Sequence, residues 1–213
     1  METLGLYIQV PFCASKCSFC NFSSRVARAD AYDAYCQAVV QEIESLPEIY
    51  ARAGIAPAIF DTTVDSVYIG GGTPSLLGAD RLNSIVAGLH RLFRFCSDVE
   101  FTLEVTPGSA DKDFLNQALT LGMNRLSIGA QSFDDEELRS VGRLHSADDT
   151  RALMLTARGE GFDNISLDLI SGLPHQTPAS WNSSLESAIA QRPEHLSIYL
   201  FEIDEKSRLG GEV

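Results

Sequence analysis

Two apolar patterns alternate along the chain. Short runs rich in β-branched residues are each followed by a turn and then by a longer stretch with apolar residues at helical spacing. Residues 6–10 predict a first strand. Residues 29–53 predict a helix, with Tyr35, Val39, Ile43 and Leu46 at helical spacing. A second strand over 64–69 ends at Gly70, Gly71 and Gly72, and the helix after it, 79–93, carries Leu82, Ile85, Val86, Leu89 and Leu92 on one face. Strands at 99–105, 125–130, 165–170 and 195–200 follow. Between them lie helical segments at 111–121, 134–141, 148–161 and 178–190.

Strict strand–helix alternation predicts a parallel sheet with helices outside it. Right-handed crossovers turn such a chain into a doubly wound sheet or a barrel. A complete eight-unit barrel takes about 250 residues; this chain has 213. The expected fold is therefore α/β, a partial parallel (β/α)6 barrel. No linker divides residues 1–213, which read as one domain. The polar tail from Lys206, with no closing helix, reads as a C-terminal truncation.

Composition narrows the function classes. Hydrophobic residues make up 45% of the chain and charged residues 21%, as in ordinary globular proteins. No apolar run reaches the ~20 residues of a membrane span, and the start lacks the basic region of a secretory signal. The net charge is −13, a field that repels phosphate backbones, so nucleic acid is not an expected partner.

In a parallel α/β array the chemistry sits at the carboxyl ends of the strands. After the first strand comes Cys13-Ala14-Ser15-Lys16-Cys17-Ser18-Phe19-Cys20, a C-x₃-C-x₂-C loop. Three close thiols in a long chain point to a metal or redox site rather than a disulfide scaffold. Structural zinc wants four protein ligands, and no fourth lies in the cluster: residues 21 and 22 are Asn and Phe. A [4Fe–4S] cluster on three thiolates leaves one iron open for a ligand. A zinc knuckle completed by a distant His, and free thiols, are the competing readings. Gly71, Gly72 and Thr73 at the second strand end would let a ligand approach the backbone; a phosphate loop is excluded there by the lack of a following Gly-Lys-Ser/Thr. Glu104, Gln131, Arg143 and Asp168 fall at or near later strand ends. Cys36 and Cys96 read as packed thiols, and residues 134–137 as an acidic first helical turn. Of the four histidines, His175 alone falls near a strand end.

The cysteine loop with Phe19 inside it resembles the radical S-adenosylmethionine (SAM) superfamily. The flanks resemble, within it, the oxygen-independent coproporphyrinogen III oxidases and the HemW-like heme chaperones. Those flanks are residues 6–13, Gly70 to Ser75, Glu104 with Thr106-Pro107, residues 129–133 and residues 168–174. The resemblance implies a [4Fe–4S] cluster on Cys13, Cys17 and Cys20. It implies SAM on Tyr7, Phe19, Gly71, Gly72, Thr73, Glu104, Gln131, Arg143 and Asp168. It also implies reductive cleavage of SAM to methionine and a 5′-deoxyadenosyl radical, and a reducing cytoplasm as the setting. Finally, it implies a C-terminal domain covering the substrate, which this chain lacks.

Within the family, the oxidases decarboxylate porphyrinogen propionates and usually carry a fourth cysteine two residues after the third. Phe22 stands there in this chain, which resembles the chaperone branch that binds and delivers heme. Asn21 departs from the Asp many of that branch carry. Heme delivery is the favoured reading, porphyrinogen oxidation the alternative, and structural zinc a third. The implied partners are heme or a porphyrinogen, a reductase or flavodoxin-type electron donor, and a heme-accepting protein.

Overall fold

The computed structural model describes residues 3–203. The six strands are β1 (Leu4–Val10), β2 (Thr63–Gly71), β3 (Arg94–Val105), β4 (Arg125–Gln131), β5 (Asn164–Ser171) and β6 (His195–Leu200). They form one sheet in the order β1-β2-β3-β4-β5-β6, with every neighbouring pair parallel. Sequential order with parallel pairing is what repeated crossovers of one hand produce. Among the described residues β1 and β6 do not pair, so the sheet is open. The crossovers are α1 (Ala29–Arg52), α2 (Ala79–Leu92), α3 (Lys112–Thr120), α4 (Asp135–Ser140) with α5 (Ala147–Glu160), and α6 (Pro178–Ala190). The predicted elements are all present. β3 begins earlier than its periodicity suggests, at Arg94, because residues 94 and 95 pair with Thr63 and Val64 ahead of a register shift.

Each strand places alternate residues on opposite faces. Val10, Ile69, Leu103, Leu126, Ile128, Leu167 and Leu169 are fully buried in the core cluster beneath the helices. The residues between them are polar and face one another across the inner side of the sheet: Tyr68 on Glu104, Arg125 on Thr102, Ser127 on Asp168. A parallel sheet buried on both faces would have near-continuous apolar strands. Here the period of two makes one face core and the other a polar concave surface.

Local chemistry sets the helix ends. Ser146 and Asp149 form a capping box on α5, and Thr177 and Ser180 another on α6, each satisfying donors that the first turn would leave bare. Gly161, at φ 110°, ends α5 in the left-handed conformation.

Candidate functional site

Residues 11–28 leave the end of β1 as a long loop pinned at its base. Arg25 N–H donates to the Pro11 carbonyl (2.9 Å) and Cys13 N–H to the Arg25 carbonyl (3.1 Å). Phe12, 1% exposed, anchors the base, packed against Tyr32 and Tyr35 at centroid distances of 4.7 and 5.4 Å. The loop tip is fastened across the sheet: Ser18 N–H donates to the Val141 carbonyl at 3.1 Å. Phe19 packs against Phe201 in a small apolar cluster with Val141, Ile170 and Leu173. Phe19 thus spends its ring on docking the loop over the ends of β4 to β6.

The three cysteine thiols are partly exposed and unpaired. Among the described residues no three His, Cys, Asp or Glu side chains are placed to hold a single metal ion. A cubane cluster holds its thiolates farther apart than one ion does, so the donor set fits a multi-iron thiolate centre better than a zinc knuckle. Burial raises the Cys20 thiol pKa, and the neighbouring Cys17 and Cys13 push it further, against the pull of Lys16.

The end of β2 is built against this loop. Gly72 N–H donates to the Val10 carbonyl (2.8 Å) and Thr73 N–H to the Phe12 carbonyl (2.6 Å). A Cβ on Gly72 would lie 2.3 Å from the Phe12 oxygen and 3.0 Å from Cys13 Sγ; the glycine is there for space. Gly71 is there for conformation, at φ 112°. Its N–H donates to Glu104 Oε2 at 2.7 Å, while Tyr68 donates to Oε1 at 2.8 Å. Burial raises the Glu104 pKa, and Asp168 adds to the rise against these two hydrogen bonds. Tyr7 lies over Tyr68, stacked at 5.8 Å, and its hydroxyl pKa is raised by burial and by Glu104.

On the far side, Arg143 donates to the Gly129 carbonyl at 2.7 Å and reaches Cys17 Sγ at 3.5 Å. Its Nε is buried without a partner. Gln131 ends β4 at φ 67°, a conformation rare for a non-glycine residue and common at functional sites. Asp168 lies deeper. Oδ2 accepts from Ser127 at 3.1 Å, and Oδ1 is buried without a partner. Burial raises its pKa against the hydroxyls of Ser197 and Ser127.

The structure therefore joins two groups that the sequence leaves separate. Gly71, Gly72, Thr73, Glu104 and Tyr7 meet Cys13 on one side, and Arg143 and Gly129 meet Cys17 on the other. His175 sits on an exposed turn 3.9 Å from Glu136. The buried histidine is His145, whose Nε2 lies 3.1 Å from the Ala130 carbonyl; burial and Arg143 lower its pKa to about 4, so the ring is neutral and donates from Nε2. Glu137 is more than an ornament of a first turn. It is 1% exposed and accepts from Ser132 (2.6 Å), Gln176 (2.9 Å) and Ser180 (2.6 Å), locking α4 to the loop after β5. Tyr68, Ser127, Arg125 and Ser197 were not singled out by motif. The period-two alternation of polar residues in each strand is the signal that finds them.

An open parallel half-barrel with a thiolate loop at its carboxyl rim defines an α/β protein built to present a metal centre to a bound ligand. The radical SAM superfamily model matches residues 7–188. The chain belongs to the radical SAM superfamily, whose members hold a [4Fe–4S] cluster and SAM. It is similar to the heme chaperone HemW of Escherichia coli (strain K12), at 33% identity over 211 residues, covering 99% of this chain and 53% of that protein. It is similar to the oxygen-independent coproporphyrinogen III oxidase of Salmonella typhimurium, at 35% over 197 residues, covering 92% of this chain and 41% of that one. The solved structure of coproporphyrinogen III oxidase (HemN) from Escherichia coli superposes with a TM-score of 0.85 at 32% identity, over 99% of this chain and 46% of that chain. The chain thus spans about half the length of the relatives it matches. Among the described residues no helix is long and apolar enough to cross a membrane.

Proposed function

We propose that Cys13, Cys17 and Cys20 hold a [4Fe–4S] cluster, that SAM lies across the adjoining rim, and that the protein acts in heme binding and delivery as a HemW-like chaperone. The donor set supports the first part: three unpaired thiols on one pinned loop, with the glycine-lined end of β2 packed against the loop. When bound, the cluster and SAM together supply reductive cleavage of the sulfonium. The chain's own residues hold and orient the ligand. The β2 end around Gly71, Gly72 and Thr73 offers backbone acceptors to an ammonium, and Glu104 and Asp168 offer carboxylate oxygens to ribose hydroxyls. Arg143 matches a carboxylate with its planar fork. Tyr7 and Gln131 border the same rim, and Phe19 serves it by seating the loop. Burial of Glu104 and Asp168 keeps water from competing for these contacts.

The observation that carries the chaperone reading is Phe22. It occupies the place of the oxidases' fourth cysteine, and its ring is 60% exposed. A reductase or flavodoxin-type protein in a reducing cytoplasm would supply the electron, and a heme-accepting protein would take the cargo. The oxidase reading is favoured by the close superposition on the HemN structure.

Anaerobic reconstitution with iron and sulfide tests the first part. About four irons per chain and 5′-deoxyadenosine after dithionite and SAM are expected. Stoichiometric zinc without sulfide would overturn it. Heme titration followed at the Soret band, beside incubation with coproporphyrinogen III, separates the branches. Tight heme binding without decarboxylation supports the chaperone, and vinyl product supports the oxidase.

A further inference from the structure

Charge is segregated on this chain. Against 29 acids the whole chain carries 16 Lys and Arg, yet residues 11–28 contain Lys16, Arg25 and Arg28 and no Asp or Glu. The segment on which this loop docks repeats the pattern: residues 138–147 include Arg139 and Arg143 and no acid. The two are in contact through Ser18 and Val141 and through Arg143 and Cys17. Lys16, Arg25 and Arg28 are all exposed. None forms an ion pair among the described residues. Lys16 instead braces the loop through the carbonyls of Phe22 and Ser24, at 3.4 and 3.4 Å. Among these cations two large apolar side chains face outward, Phe22 at 60% and Val26 at 61% exposure.

A solvated surface ordinarily mixes charges of both signs. An exposed apolar centre bordered by unpaired cations on an acidic chain has the anatomy of an interface for an acidic protein. A nucleic acid would meet the field of the remaining acids along its length. A folded partner need present only one acidic face, with apolar area to cover Phe22 and Val26.

We propose that the outer face of the cysteine loop is the docking site for an acidic electron-carrier protein that delivers single electrons to the cluster. This rests on the cluster assignment above. The transfer balances simply: the partner's reduced carrier loses one electron, the cluster gains one, no bond forms or breaks, and no proton moves. The cluster ligands and the docking surface share one loop, so the steered encounter brings the carrier to the thiolates' own segment.

The test uses the reconstituted chain with flavodoxin as the acidic one-electron carrier. Arg28→Glu and the triple variant Lys16→Gln/Arg25→Gln/Arg28→Glu are compared with the parent at low salt. Association should weaken about tenfold in the first and about a hundredfold in the second, and parent binding should weaken as salt rises. Reduction of the cluster by flavodoxin should slow in parallel, while iron content and reduction by dithionite stay unchanged. Association that is independent of salt and equal in all three proteins would overturn the proposal. So would loss of binding to RNA or anionic vesicles in the triple variant with flavodoxin binding intact. Absence of iron and sulfide in the parent is a separate result, and it would overturn the cluster assignment instead.

Discussion

Gly72→Ala tests whether the β2 end and the cysteine loop are one packed unit. The added Cβ would sit 2.3 Å from the Phe12 oxygen, 2.8 Å from its carbonyl carbon and 3.0 Å from Cys13 Sγ. Carbon–oxygen contacts begin near about 3.3 Å, so strand or loop must retreat by about 1 Å. Two of the obstructing atoms are backbone, and no flexible side chain can swing away. The retreat breaks the hydrogen bonds from Gly72 to Val10 (2.8 Å) and from Thr73 to Phe12 (2.6 Å). Two such bonds contribute about 2 kcal/mol net, and overpacking adds about 1–3 kcal/mol. The expected loss is about 3–5 kcal/mol, a large part of the stability of an ordinary domain, with a Tm about 10 °C lower. Because Cys13 moves with the loop, iron retained per chain should fall as well. Urea melts and iron analysis read both effects. Gly159→Ala is the control: it lies in α5 with nothing within 4 Å of the added Cβ, and a stability gain of about 0.5–1 kcal/mol is expected. A Gly72→Ala protein with parental melting and a full iron complement would refute the packing argument.

Ala at Cys13, Cys17 or Cys20 should each abolish iron binding, while Cys36→Ser and Cys96→Ser should keep it; cluster absorbance decides, and its loss in either Ser variant would reveal an overlooked ligand. His145 has a folded pKa near 4 against an unfolded value near 6.5, so the unfolded chain binds the extra proton between those values. Its contribution to stability is whole above pH 6.5 and is lost progressively as pH falls towards 4, by about 3 kcal/mol. Urea melts across that window should be shallower in pH for His145→Gln, and an unchanged slope would contradict the assignment. Glu137→Ala strands three buried donors and should cost about 3 kcal/mol, whereas Glu137→Gln should cost less; equal melting of both variants and the parent would count against the network.

The cysteine loop and the strand-end landmarks were legible because each is a local pattern, and the strand carboxyl ends are where a parallel array collects them. Other features were hidden from motif reading. Glu137 looked like a helix-dipole acid, since its burial depends on Ser180 and Gln176, some forty residues away. His145 carried no ligand spacing, and only the approach of the Ala130 carbonyl makes it a buried neutral ring. The inner polar residues Tyr68, Ser127 and Arg125 belong to no motif, yet their alternation with buried Val67, Leu126 and Ile128 is written in the strands.

By itself, the sequence determined the order and type of the elements, the parallel array and the set of thiols. Those follow from periodicity, turn chemistry and spacing, which act within a few residues. Tertiary structure alone decided which strand ends meet. It set Gly72 against the Phe12 carbonyl, Glu104 on the Gly71 amide and Arg143 beside Cys17. It also exposed one cationic face on an acidic chain. These depend on the sheet's register and curvature, where a shift of one residue would send every inner side chain to the other face.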